Sequence, residues 1–337
     1  MIVPARNERE CVEACLRSLA GQWEDGWRLG VEWEILLVDD HSTDETRAIA
    51  EGVAGVSVME APELERGWTG KANAVWAGAQ AARGEWLLFT DADTVHEPGS
   101  ASRAVVEAER HGVAMLSYSP RQIVRGFWQR ALMPLVFSEL AMTYPPAKVS
   151  DPEKRLAAAN GQFLLMRRKE YFANGGHEAV KNSVLEDVAL AQTVKRLRQG
   201  LRFRYAPEAV ATRMYRSLGA MVEGWTKNLA LLFGNSLVLA AWRLLDFLLL
   251  FGLPVLAWWT YEVSTRRILW VVVLLLWVRT LWRFYRRVAK SNFPLRECLL
   301  SPLALPLFAA LLYRSWFRHR VLKRVSWKGR AYGSGNH

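Results

Sequence analysis

The 337-residue sequence is poor in the residues that staple small secreted domains. It has three cysteines, Cys11, Cys15 and Cys298. Three thiols make no disulfide framework, and a C-x3-C pair without further Cys or His nearby makes a poor zinc site; a reducing, cytosolic setting is expected. No secretory leader is read at the start, because MIVPARNERE runs straight into charge. There is no internal repeat and no low-complexity tract. With 51% apolar and 23% charged residues, disorder, a collagen-like fibre and a disulfide miniprotein are excluded. The length suits one large domain or two ordinary ones.

Acidic residues are scarce in the last two fifths. From residue 201 onward there are 5 Asp and Glu against 21 Lys and Arg, whereas the first 200 residues hold 28 against 23. The net charge of +11 therefore arises in the C-terminal part, which also carries nine of the 16 tryptophans, Trp225 to Trp327. A basic pI alone points to nucleic acid. Basic residues interleaved with long apolar runs and Trp point instead to a membrane face, and no nucleic-acid partner is expected. The apolar runs are 229–261, 268–282 and 299–313. A span needs about 20 apolar residues; the first run reaches that, the second is short but flanked by Trp anchors, and the third is interrupted by Pro302 and Pro306. The basic segment 283–296 and the basic tail are expected on the cytoplasmic side. The first two runs then form a hairpin and the third lies in the interface or re-enters, with three or four spans as the alternative. Arg243 and Asp246, one helical turn apart, either neutralise each other in lipid or snorkel to the interface.

The first 225 residues alternate between strand-like and helical patterns, the signature of an open α/β sheet. The runs at 35–38, 86–89 and around 162–166 read as strands, and ETRAIAEGV, GKANAVWAGAQAA and SASRAVVEAERHG read as helices between them. The motifs follow strand ends, where open α/β sheets bind ligands. In VDDHSTDET (38–46), Asp39 and Asp40 enter a turn, and Ser42 with Glu45 is expected to form a capping box. A carboxylate there accepts hydrogen bonds from a base or ribose, unless this is only an acidic turn. In Gly67-Trp68-Thr69-Gly70-Lys71, two glycines admit close backbone approach and Lys71 opens a helix; the spacing is not that of a P-loop. Asp91 and Asp93, after the strand WLLF, are hard oxygen donors suited to Mg²⁺ or Mn²⁺. Glu186 and Asp187 stand in the first turn of a helix, where acid is favoured by the helix dipole whatever its role. The functional alternative is a general base that takes the proton of an attacking alcohol.

Taken in order, VPARNE (3–8), VDDHSTDET, GWTGKANA (67–74), FTDADT (89–94), ANGQFLLMRR (159–168), GGHEAV (175–180) and LEDVALA (185–191) resemble glycosyltransferase family 2, with its GT-A fold: Rossmann-like, a mostly parallel sheet with helices on both faces. The continuation RMYRSLGAMVEGWTKNL, the apolar runs and SWKGRAY (326–332) resemble the membrane-bound branch that includes hopanoid-associated, ceramide glucosyltransferase-like and bacterial carotenoid glycosyltransferases. The resemblance implies a GT-A domain over 1–225, a membrane-associated helical region over 226–317 with two to four hydrophobic segments, and a basic cytoplasmic tail over 318–337.

It also implies roles. Pro4, Arg6, Glu8, Asp39 and Asp40 would border the nucleotide and Lys71 the nucleotide or diphosphate. Asp91 and Asp93 would form the Asp-x-Asp pair, with Asp93 the direct ligand of Mg²⁺ or Mn²⁺. Gly161 and Gln162 would line the sugar and acceptor pocket, and Asp187 would be the base with Glu186 in support. The implied reaction is inverting transfer from a nucleotide sugar, usually UDP-linked, to a hydroxyl or carboxylate of a lipid acceptor such as a carotenoid, hopanoid or other glycolipid precursor. The expected location is the cell membrane, with the catalytic domain cytoplasmic.

Two features depart from the family pattern. Many processive members carry Q-x-x-R-W, whereas the corresponding stretch here is Arg213-Met214-Tyr215-Arg216-Ser217, which argues against a cellulose- or hyaluronan-type polymerase. Arg213 and Arg216 either serve the diphosphate or are ordinary loop charges, and Lys328 and Arg330 either reach the diphosphate or meet lipid headgroups. Only two residues precede Val3, so a longer native start, with or without an anchoring helix, is expected. A polysaccharide synthase or polyprenyl-phosphate sugar transferase is the alternative activity. A nucleotidyltransferase fits LEDVALA poorly, and a decayed membrane scaffold fits poorly with the full set of carboxylates.

Overall fold

The computed structural model describes residues 1–24, 26–263, 267–327 and 330–333. In chain order the elements are β1 (Ile2–Ala5), α1 (Val12–Ala20), β2 (Ile35–Asp39), α2 (Thr46–Glu51), β3 (Val56–Glu60), α3 (Gly70–Ala81), β4 (Trp86–Phe89), β5 (Thr94–His96), α4 (Ser100–Arg110), β6 (Met115–Ser119), β7 (Arg121–Gln122) and α5 (Gly126–Thr143). They continue with α6 (Pro146–Ser150), β8 (Leu164–Arg167), α7 (Arg168–Ala173), α8 (Glu186–Arg196), β9 (Leu201–Tyr205), β10 (Val210–Thr212), α9 (Leu218–Leu232), α10 (Ser236–Val263), α11 (Arg267–Val288), α12 (Leu295–Cys298), α13 (Leu305–Arg320), β11 (Arg324–Trp327) and β12 (Arg330–Gly333). Two compact units result. One comprises Met1–Ile123 and Tyr144–Met214, the other Val124–Thr143 and the chain from Tyr215 on.

The first unit is built on a seven-stranded sheet of order β3-β2-β1-β4-β8-β6-β9. Neighbours are parallel except where β8 runs antiparallel to β4 and β6. Continuous apolar strands such as ILLV belong in a sheet covered on both faces, and the side chains divide accordingly. Ile2, Leu36, Val38, Leu87, Phe89, Leu164 and Met166 enter one core with Ala74 and Val75 of α3 and Leu190 and Val194 of α8. Val3, Ile35 and Leu37 pack with Val12, Leu16 and Leu19 of α1. Leu88, Leu116 and Leu165 pack with Ala101, Ala104 and Ala108 of α4. Each fully buried Leu or Ile contributes about 1.5–3 kcal/mol, so these two layers hold the strand ends in place. Because β8 is antiparallel, with Phe89 opposite Leu164, its entry loop at Gly161–Gln162 shares an edge of the sheet with the exits of β2, β1 and β4.

Local chemistry sets the helix that carries Lys71. Thr69 caps α3 by accepting a hydrogen bond from the Ala72 amide at 3.2 Å. Gly78 lets the helix lie close on the sheet: a Cβ there would come within 2.6 Å of Ile2 and 2.9 Å of Val38. The capping box expected from Ser42 and Glu45 is not formed. The residue preceding α2 is Glu45, with no side-chain cap; Asp44 Oδ1 instead accepts from the Thr46 amide at 3.0 Å, while Ser42 Oγ accepts from the Asn7 amide at 3.0 Å. The hydroxyl is thus taken by a residue 35 positions away, a contact that local spacing cannot disclose.

In the second unit α10 packs against α11 and α13, and α13 against α9. Pro254 lies inside α10 and lacks the N–H that would bond the Leu250 carbonyl. The Trp277 indole of α11 donates to that carbonyl at 3.0 Å, satisfying the freed acceptor. Arg243 pairs with Asp246 at 3.2 Å, but not alone: Arg243 also meets Glu139 of α5 at 2.8 Å, and Arg287 meets Asp246 at 2.7 Å. Two cations and two anions thus neutralise one another inside the helical unit. Of the third apolar run, Pro302 and Pro306 sit in the first turns of a 3-10 segment and of α13, where a missing N–H is harmless. Among the described residues, two helical stretches are long and apolar enough to cross a membrane, Ser236–Glu262 and Ile268–Ser291.

Candidate active site

The sheet edge formed by β2, β1, β4 and β8 gathers most of the residues singled out by the sequence. Arg6, just past β1, donates to the Asp40 carbonyl at 2.7 Å, with its guanidinium 4.0 Å from the Asp40 carboxylate. Asp39 and Asp40 are buried; Asp39 Oδ2 accepts from the Ser42 amide at 3.2 Å, while its Oδ1 is buried without a hydrogen-bond partner. An orphaned buried carboxylate oxygen at a strand exit is costly and is suited to accept from a ligand donor. The Glu8 amide donates to Thr46 at 2.7 Å, which fixes the loop after β1.

One strand over, Lys71 Nζ bridges Asp91 at 2.7 Å and Glu186 at 3.0 Å. Asp187 Oδ2 accepts from the Gly161 amide at 2.8 Å and its Oδ1 from the Val188 amide at 2.8 Å. Pro4, Thr90 and His177 line the same recess. Burial pushes the Asp187 carboxyl up to about 6, and the neighbouring Glu186 adds to the rise against the opposing pull of Lys71 and the two amides. Burial lowers the Lys71 ammonium, but Asp91, Glu186 and Asp187 outweigh it and raise it well above the ordinary range. Lys71 is therefore a fixed cation, and the Asp187 carboxyl changes protonation near pH 6.

Asp93 is joined to this edge through β10, since the Thr212 hydroxyl donates to the Asp93 carbonyl at 3.2 Å and Arg213 follows directly. Gln162 is buried, its amide reaching Thr212 Oγ1 at 3.4 Å and its Oε1 lacking a hydrogen-bond partner. Arg216 belongs to the helical unit and is exposed. Lys328 lies outside the described residues; Arg330 contributes backbone to β12.

Sequence reasoning gave no role to His177, although it stands inside the GGHEAV motif. Its Nδ1 is 2.8 Å from the Tyr171 hydroxyl, and burial lowers its pKa to about 4, so it is neutral at pH 7. Nor did it find the buried set Thr90, Thr94 and His96 beneath the Asp91–Asp93 turn. Here burial alone lowers the imidazole to about 3.

The model of the family described as glycosyl transferase family 2 matches residues 1–172, more than half of the chain. The chain belongs to glycosyl transferase family 2. This family 2 enzyme is 25% identical, over an alignment of 345 positions, to the 4,4'-diaponeurosporenoate glycosyltransferase of Staphylococcus aureus, covering 98% of this chain and 87% of that protein. Among solved structures, the mannosyltransferase PcManGT from Pyrobaculum calidifontis, in complex with GDP-Man and Mn²⁺, aligns with a TM-score of 0.54 at 17% identity over 96% of this chain and 86% of its own. S. aureus TarS aligns at 0.46 and 16% identity over 99% of this chain and 59% of that one. The fold is GT-A, and the protein is a glycosyltransferase.

Proposed function

We propose that this glycosyltransferase moves a sugar from a nucleoside diphosphate donor, UDP-linked by preference, to a hydroxyl of an apolar lipid at the cytoplasmic face of the cell membrane, with inversion. The observation that carries the reading is Asp187: a buried carboxylate held by two backbone amides, raised toward neutrality and set beside the Lys71–Asp91–Glu186 cluster. Each Asp187 oxygen has used one lone pair on an amide and keeps another for an acceptor O–H. As the acceptor oxygen closes on the sugar carbon, its proton passes to Asp187, and the nucleoside diphosphate departs on the opposite side. Glu186 holds Lys71, which counters phosphate charge. Asp39, Asp40 and Arg6 border the nucleoside, and Gly161 and Gln162 the sugar. Arg213 is assigned to the diphosphate.

The donor set at the turn is hard oxygen, from Asp91 and Asp93. Among the described residues, no group of three or more His, Cys, Asp or Glu is arranged to cage a metal. That fits Mg²⁺ or Mn²⁺, which bind through one or two carboxylates plus substrate phosphate and water. When bound, the ion offsets charge developing on the leaving diphosphate. PcManGT, named with GDP-Man and Mn²⁺, is consistent with this assignment.

Membrane attachment is supported by the exposure of the two apolar stretches. At 27 and 24 residues, with 22% and 11% buried, they would extend about 36–40 Å, enough for a hydrocarbon core of about 30 Å. Trp242, Leu248, Trp258, Trp259 and Leu275 are exposed on them. The basic residues Arg283, Arg286, Arg287 and Lys290 support a cytoplasmic side for the end of the second stretch. A relative named for diaponeurosporenoate suggests a carotenoid acid as a second acceptor class. A carboxylate acceptor brings no proton to remove, so the two classes differ in their need for Asp187.

The test is to incubate membranes containing the protein with labelled UDP- and GDP-sugars and extract the lipids. Label in an organic-soluble product is expected. Label only in a long water-soluble polymer refutes the lipid reading in favour of a polysaccharide synthase.

A further inference from the structure

The buried groups beneath the Asp91–Asp93 turn have a proton count that assigns one of them a role. Thr90 Oγ1 lies 2.8 Å from the Gln162 carbonyl, 2.9 Å from Thr94 Oγ1 and 2.9 Å from His96 Nε2. Thr94 Oγ1 lies 2.8 Å from the Asp91 carbonyl and 3.2 Å from His96 Nε2. The three side chains are 1%, 0% and 3% exposed, so bulk solvent does not reach the set. The two carbonyls only accept. Each hydroxyl has a carbonyl to receive its single proton, and His96 Nε2–H then donates to the two hydroxyl oxygens. The Cys15 thiol, 3.6 Å from both Thr94 Oγ1 and the Asp91 carbonyl, is the other donor at the set, and the Thr90–Thr94 approach carries no proton of its own. The other tautomer would have Nε2 take a proton either from Thr90, leaving the Gln162 carbonyl without that donor, or from Thr94, whose Asp91 carbonyl also accepts from the Thr94 amide at 3.3 Å. It would also strand an N–H at Nδ1, which is buried with no hydrogen-bond partner; a buried orphan donor is rarer and costlier than an unused lone pair.

We propose that His96 is a positioning residue, fixed as the neutral Nε2–H tautomer, whose N–H frees Thr90 and Thr94 to tie the Gln162 and Asp91 carbonyls. This joins the turn carrying Asp91 and Asp93 to the loop carrying Gly161 and Gln162. Since the Gly161 amide holds Asp187, His96 sets the spacing between the donor-side carboxylates and the base without touching substrate. The kinetic part of this inference rests on the proposed roles of those residues; the tautomer does not.

The test has two arms. Histidine-selective ¹⁵N labelling of the full-length protein in nanodiscs gives only six imidazoles to resolve, and His96 is assigned by the signal lost in His96→Gln. An Nε2–H pattern is expected, and an Nδ1–H pattern overturns the proposal. In the kinetic arm, His96→Phe is expected to raise the donor KM about tenfold, the worth of one buried hydrogen bond, and to leave the acceptor KM unchanged. His96→Gln, whose amide N–H can replace Nε2–H, should recover most of the loss. If His96→Phe does not fold, Thr90→Val removes one arm of the relay and takes the same readout. A wild-type donor KM in the folded variant refutes the positioning role. Wild-type protein with no transfer to lipid refutes the function proposed above while leaving the tautomer result standing.

Discussion

Replacing Lys71 by Met tests whether the cation tunes the base. The point that a Gly161 Cβ would occupy is 2.9 Å from Lys71 Nζ and 3.7 Å from Asp187 Oδ2, so the two charges are at most about 6–7 Å apart. At an effective dielectric near 20, that separation is worth about 2–3 kcal/mol. The Lys71 side chain is 39% exposed, and screening reduces the effect to about one pKa unit. Wild-type activity should therefore fall as the pH drops through about 6, where Asp187 takes up its proton. In Lys71→Met the same acid limb should move about one unit higher, because Glu186 and burial still raise the carboxyl and Lys71 no longer opposes them. The assay is kcat/KM for transfer from pH 5 to 9, at fixed ionic strength. Loss of rate alone is uninformative, since Lys71 is also assigned to the diphosphate; the midpoint carries the test. A limb that stays put or moves to lower pH refutes the coupling. A limb absent from the wild type refutes Asp187 as the base and favours a carboxylate acceptor.

Asp187→Asn should abolish transfer to a hydroxyl yet stabilise the fold. Its folded-state pKa lies above the unfolded 3.8, so ionisation destabilises the native state progressively as pH rises from about 4 to 6. The variant escapes about 3 kcal/mol of this and loses about 1 kcal/mol of amide hydrogen bonding, giving a higher Tm at pH 8 that converges on wild type near pH 4. Gly161→Ala should leave Tm within about 1 kcal/mol equivalent while cutting kcat/KM at least tenfold, since its Cβ would sit 2.9 Å from Lys71 Nζ and break the bridge; unchanged kinetics would count against that bridge. Trp277→Phe should cost about 1 kcal/mol in the wild type but almost nothing in a Pro254→Ala background, where a restored backbone N–H bonds Leu250. Additive losses in that double-mutant cycle would contradict the proposed replacement of one donor by another.

Much of the catalytic unit was legible because its signals are local. Apolar runs at 35–38 and 86–89 became β2 and β4, and the apolar spacing after Leu185 became α8 with both acids in its first turn. The separate loops bearing Asp40, Lys71, Asp91 and Asp187 were readable as motifs, but their common edge depends on β8 running antiparallel, which no spacing reveals. The relay under the turn was hidden for the same reason, because Thr90 meets a carbonyl 72 residues away. Helix α5 was missed outright. Pro134 stands inside it, and a proline within an apolar stretch reads as a break.

The grouping of Glu139 with Arg243, Asp246 and Arg287 bears on any attempt to divide the protein. A fragment starting at Tyr215 would hold the hairpin's two arginines and only one of their acids, leaving one excess positive charge without its counter-ion. Removing one member of a buried ionic set costs about 3–5 kcal/mol, enough to misassemble such a truncated product. A workable two-piece expression scheme must therefore supply residues 124–143 together with the C-terminal part, even though in the gene they interrupt the stretch encoding the sheet.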